Sequence, residues 1–77
     1  MTLNELADGC IAQIESLAAL SPDLEAKLRE LGFSEGDEVE IVARGPLGGQ
    51  PLAVRLNRRL IALRDEEAGA IRLKGAQ

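Results

Sequence analysis

Ser21-Pro-Asp-Leu-Glu-Ala-Lys-Leu-Arg-Glu-Leu-Gly-Phe-Ser-Glu-Gly-Asp-Glu-Val-Glu-Ile-Val-Ala43 contains a change of hydrophobic period, from that of a helix to that of a strand. Leu24, Leu28 and Leu31 stand at i, i+4 and i+7 and form one apolar helical stripe. Ser21 offers a hydroxyl to an orphan amide, Pro22 is preset for the first helical position, and Asp23 suits the positive end of the helix dipole. Gly32 permits the left-handed residue that ends such a helix. The spacing therefore predicts a helix over residues 22–31, with Asp23–Lys27 and Glu25–Arg29 as i,i+4 pairs on its wet side, worth about 0.2–0.5 kcal/mol each. After a turn at Ser34-Glu-Gly-Asp37 the period becomes two. Val39, Ile41 and Ala43 are expected inward, and Glu38 and Glu40 outward.

The flanking segments repeat the strand pattern. Asp8-Gly9 reads as a turn, and Cys10, Ala12 and Ile14 then alternate with Ile11, Gln13 and Glu15 in a strand to Leu17. Gly45-Pro-Leu-Gly-Gly-Gln-Pro51 is a loop by composition. Leu52, Val54 and Leu56 face inward with Arg55 outward, Asn57-Arg58 is a tight turn, and residues 59–64 make another strand. A helical turn near 65–68 precedes a last strand at 70–73. Several short strands, each with one apolar face, predict a mainly β fold, a small barrel or sandwich. Closing the sheet would hide edges that a thin core leaves unprotected.

Seventy-seven residues make one domain spanning residues 1–77. Its single cysteine excludes an internal disulfide. Cys10 reads as a small buried hydrophobe, because nearby Asp8 and Glu15 oppose a reactive thiolate. A lone thiol fits the reducing cytosol, the start lacks the basic residues of a signal peptide, and no apolar run approaches the length of a membrane span. A soluble cytoplasmic protein is expected, touching a membrane only through a partner.

Catalytic chemistry has little to work with. There is no histidine, so Thr2, Ser16, Ser21 and Ser34 lack a base to activate them. The paired carboxylates Asp37-Glu38 and Glu66-Glu67 read as solvated surface. A transition-metal site would prefer imidazole and thiolate, and only Cys10 is available. The densest acidic cluster, Glu35, Asp37, Glu38 and Glu40, lacks EF-hand spacing. Gly45-Pro-Leu-Gly-Gly-Gln lacks the Lys-Ser/Thr of a phosphate loop. No cofactor, no metal and no enzymatic activity are expected.

Charge is the feature left over. The net charge of −4 divides into −8 over the first forty residues, +5 between Ile41 and Arg64, and −1 in the tail. The middle segment contains Arg44, Arg55, Arg58, Arg59 and Arg64 and no acid. One reading distributes these arginines over outward strand faces; the other gathers them into a surface that orients an acidic protein partner. Direct nucleic-acid binding is not expected, since the chain is acidic and Phe33 is its only aromatic. Leu47 either projects from its loop as a docking knob or folds back over the barrel mouth.

Taken together, Leu28-Arg-Glu-Leu-Gly-Phe-Ser-Glu-Gly-Asp-Glu-Val-Glu-Ile-Val-Ala-Arg-Gly-Pro-Leu-Gly-Gly-Gln-Pro-Leu-Ala-Val54 resembles the FeoA family of small proteins of bacterial ferrous-iron uptake. The opening Met-Thr-Leu-x-x-Leu-x-x-Gly and Leu63-Arg-Asp-Glu-Glu-Ala-Gly-Ala-Ile-Arg-Leu73 extend the likeness over nearly the whole chain. The resemblance implies an SH3-like β-barrel with a helix inserted after the first strand. It also implies a partner, the cytosolic, GTPase-containing part of the FeoB-type transporter; the charge and loop readings above make Leu47, Arg44, Arg55, Arg58 and Arg59 the candidate contacts. It does not imply recognition of proline-rich peptides, which needs an aromatic groove. The loop departs from the family in reading Gly-Gly-Gln-Pro where Gly-Asp-Pro is common. The same fold forms the C-terminal domain of DtxR-type iron-dependent repressors. A regulatory module of that kind, or a weak nucleic-acid binder, is the alternative reading; with no DNA-binding domain attached, a regulator would act in trans.

Overall fold

The structure is a computed structural model, and it describes residues 1–74. A 3-10 turn, Leu3–Glu5, leads into β1 (Ile11–Leu17), α1 (Pro22–Leu31), β2 (Glu38–Gly45), β3 (Gly49–Leu56), β4 (Arg59–Leu63), α2 (Asp65–Ala68) and β5 (Ile71–Leu73). The strands form one antiparallel sheet in the order β4-β3-β2-β1-β5. The mainly β class, the helix inserted after the first strand and the helical turn before the last strand are as the sequence predicts.

β1 makes the sheet curl. Its first half, Ile11 to Gln13, pairs with β2, and its second half, Ile14 to Leu17, pairs with β5. A register shift between Ile14 and Ser16 separates the halves. Such an irregularity bends a strand and lets it serve two parts of a sheet. It also explains why Ile14 and Leu17, three apart, are both buried. The enclosed core includes Ile14, Phe33, Ile41, Val54, Leu56 and Ile71, each at most 1% exposed.

α1 is built as its sequence dictates. Ser21 Oγ accepts from the Leu24 amide at 3.2 Å, Pro22 opens the helix, and Gly32 closes it with φ 108°. The Phe33 amide returns to Leu28 O at 3.1 Å, a left-handed closure only glycine enters without strain. Leu28 is fully buried beneath the sheet, while Leu24 and Leu31 pack at the margin of the core.

Five expectations need correction. Cys10 is exposed, because the ladder begins at Ile11 and Cys10 belongs to the preceding turn, its amide donating to Ala7 O. Ala43 is exposed rather than inward, since a register shift between Ile41 and Ala43 reverses the alternation of β2. The loop at 45–51 is much shorter than its composition suggests. Gly45 pairs with Gly49, so only Pro46, Leu47 and Gly48 lie between the strands. Glu25–Arg29 forms at 3.1 Å, but Lys27 turns from Asp23 to Glu67. Glu67 is accordingly not a solvated carboxylate: it is 6% exposed.

Candidate functional site

The hairpin of β2 and β3 carries Leu47 at its tip. Its amide donates to Gln50 O, and the Gln50 amide donates back to Leu47 O, both at 3.3 Å. This reciprocal pair fixes the tip and turns the leucine outward, leaving Leu47 78% exposed. Of its two readings, the projecting knob is the one observed.

The arginines divide into two groups. Arg44 Nε lies 2.7 Å from Asp8 Oδ1, and its Nη2 donates to Leu6 O at 2.9 Å. Arg44 therefore ties the N-terminal segment to β2. Arg55 Nε lies 3.9 Å from Glu40 Oε1 on the neighbouring strand, a loose exposed pair worth little. Arg59 Nη2 donates to Leu31 O at 2.6 Å. It satisfies a carbonyl at the end of α1, where the helix dipole favours a cation. Arg58, in the β3–β4 turn, and Arg64, after β4, have no side-chain hydrogen bond or carboxylate within 4.0 Å among the described residues.

Register divides the same arginines differently, by the end of the strands at which they lie. Arg44 pairs with Leu52, which pairs with Leu63, so Arg44 and Arg64 lie at the Leu47 end of the strands. Arg55, Arg58 and Arg59 lie at the other end. A strand of five residues is about 17 Å long. The candidate residues thus do not form one compact patch. They bracket the outer face of the sheet.

That face has an apolar component that charge analysis overlooks. One cross-strand row runs Ile11, Glu40, Arg55, Leu60 over β1 to β4. Ile11 and Leu60 at its ends are each 64% exposed, and Val42 nearby is 40% exposed. Alternation hints at one part of it, since Ile11 shares the parity of Gln13 and Glu15; Leu60 joins it only through its pairing opposite Arg55.

The acids have structural work. Arg29 bonds both Glu25 and Glu35, and its hydrogen bond to Glu35 is the main reason that carboxyl titrates below its usual range. Burial pushes Glu67 upward, but the Lys27 hydrogen bond and the Arg64 amide outweigh it and hold the carboxyl below its usual value. Among the described residues, no three His, Cys, Asp or Glu side chains converge to hold a metal ion. A depression lined by Ile11, Glu38, Val39, Glu40, Arg55 and Asn57 has a volume of about 100 Å³, well short of the roughly 300 Å³ at which small-molecule pockets begin. No helix in the described residues is long and apolar enough to cross a membrane.

Comparison with solved structures returns the same architecture. FeoA of Stenotrophomonas maltophilia, solved with zinc and described as a procaryotic SH3 domain protein, is 42% identical, with a TM-score of 0.84 over 96% of this chain and 89% of that one. Iron(II) transport protein A of Clostridium thermocellum is 39% identical, with a TM-score of 0.86 over 96% of this chain and 44% of that one. FeoA of Chlorobium tepidum is 34% identical, with a TM-score of 0.82 over 95% and 68%. A manganese-dependent transcriptional repressor shares the fold alone, at 18% identity and a TM-score of 0.81 over 92% and 39%. No curated protein matches the chain. The family model for the FeoA domain matches residues 1–74, and with an SH3-like sheet and relatives named for iron(II) transport, the chain belongs to the FeoA family, associated with ferrous iron transport.

Proposed function

We propose that this protein is a cytoplasmic accessory subunit that docks on the GTPase-containing cytosolic part of an FeoB-type iron transporter and modulates it by binding. The observation that carries the reading is Leu47: a large apolar side chain 78% exposed on a hairpin tip whose backbone is pinned from both sides. An exposed apolar residue on a rigid support suits an interface anchor, because little conformational freedom is lost on docking. Family membership supplies the pathway. The lack of histidine, which leaves no base to activate a hydroxyl, favours binding over catalysis.

The arginines take different parts in this reading. Arg58 and Arg55 are exposed and steer an acidic surface toward the sheet. Arg44 and Arg59 act indirectly, by holding the N-terminal segment to β2 and the end of α1 to β4. A binding titration of the isolated cytosolic domain by this protein, repeated over a salt series, tests the reading. Saturable binding that weakens with salt is expected. Absence of binding at low salt contradicts it.

A further inference from the structure

The sheet has two edges, and the protein treats them differently. β5 is covered: Thr2 bridges to Arg72, and the Leu73 amide donates to Met1 O at 2.8 Å. Among the described residues β4 pairs only with β3. The two-residue Asn57-Arg58 turn, with φ 57° at Asn57, makes Leu56 and Arg59 a hydrogen-bonded pair. Alternation down the ladder then makes Val54–Ile61 and Leu52–Leu63 bonded pairs as well. The amides and carbonyls of Leu60 and Ala62 consequently point away from β3, and no other backbone group of the described residues takes them.

Proteins blunt such edges with proline, an inward charge or a covering segment. β4 is short and begins with Arg59, which are two further such devices, but the Leu-Ile-Ala between Arg59 and Leu63 carries no proline and no charge. Its charges stand at the two ends instead. Arg58 precedes the strand and Arg64 follows it, both exposed and neither with a carboxylate within 4.0 Å among the described residues, although the Arg64 charge is felt by Glu67. The acids after Arg64 are partly engaged elsewhere: Asp65 takes Asn4, and Glu67 takes Lys27.

We infer that the β4 edge is a second binding site, which takes an extended segment of another protein as a sixth strand, with acidic residues six positions apart bracketing apolar ones. Backbone groups of the guest pair with Leu60 and Ala62, its apolar side chains lie beside Leu60 on the outer face, and its acids meet Arg58 and Arg64. A second copy of this chain fits worse. The antiparallel register that uses every free group sets Leu60 opposite Ala62 of the other copy, and this puts Arg58 of each copy opposite Arg64 of the other. Like charges directly opposite are destabilising. The inference stands apart from the Leu47 reading and from the transporter as partner.

The probe is a capped synthetic peptide, Glu-Thr-Val-Thr-Val-Thr-Glu, titrated into the labelled protein and followed by backbone amide NMR. Before addition, the Leu60 and Ala62 amides should exchange with solvent faster than those of Ile61 and Leu63. On addition, Leu60 and Ala62 should shift most and gain protection, while Leu47 stays unmoved. Replacing both glutamates by lysine should weaken binding about tenfold or more, by turning two attractive cross-strand pairs repulsive. Ala62→Pro should abolish binding. Because that variant can also fail to fold, the Arg58→Glu/Arg64→Glu double variant is the second test, and it should prefer the lysine peptide. Equal binding of both peptides, or unmoved Leu60 and Ala62 amides, overturns the proposal. Concentration-dependent shifts at these two amides without peptide also overturn it, in favour of self-pairing.

Discussion

Lys27 Nζ and Glu67 Oε2 form an ion pair between α1 and α2, forty residues apart, and the carboxylate end is buried while the ammonium side chain remains 57% exposed. Glu67 also accepts from the Arg64 amide at 2.8 Å through its other oxygen. One side chain thus caps the start of α2 and fastens it to α1. Glu67→Gln keeps the cap but removes the charge. A loss of about 1–2 kcal/mol in chemical denaturation is expected, the size of a charge-assisted hydrogen bond, with little cost for Lys27, which regains water.

The same pair sets an acid dependence. The Glu67 carboxyl titrates below its ordinary value of 4.5 in the folded protein. The folded state therefore binds its proton less readily than the unfolded chain, and the stability from this group is fully present above pH 4.5. It is lost as pH falls from that value through the folded pKa. Glu35 and Glu5 are shifted the same way but are exposed, so solvent screens their share. Denaturation curves from pH 7 to 3 should decline, and Glu67→Gln should flatten the decline.

Gly45 should be intolerant for a steric reason. A Cβ there would stand 2.2 Å from the Gln50 carbonyl oxygen, and backbone cannot swing away as a side chain can. Gly45→Ala should cost about 1–3 kcal/mol by calorimetry, as overpacking typically does, and disturb the Leu47–Gln50 hydrogen bonds. At Gly32 a Cβ meets the movable end of Arg59 instead, so the penalty there comes from φ 108°.

Leu28 is the one fully buried side chain of α1. Leu28→Ala should lower stability by about 2–5 kcal/mol, a large share of the total for a domain this small. Thermal unfolding at neutral pH measures it.

What the sequence made legible was local. α1 was bounded correctly because Ser21, Pro22 and Gly32 act within a turn of where they stand. The Asn57-Arg58 turn and the 65–68 helix were legible for the same reason. The misses were long-range. No spacing rule announces that Arg44 will find Asp8, thirty-six residues away, or that Lys27 will leave Asp23 for Glu67. Alternation placed Val39 and Ile41 but failed at Ala43, where a register shift that pattern alone does not encode exposes the residue. The candidate site was half legible. Leu47 stood out between glycine and proline, whereas the apolar outer face of Ile11, Val42 and Leu60 emerges only when four strands are laid side by side.

The most direct test of the docking account compares wild type with Leu47→Asp in a calorimetric titration of the transporter's isolated cytosolic domain. Leu47 makes no core contact, so the variant should unfold at the wild-type temperature. Its affinity should fall about tenfold or more, the effect of removing a central interface anchor. Equal affinity of the two proteins contradicts the account.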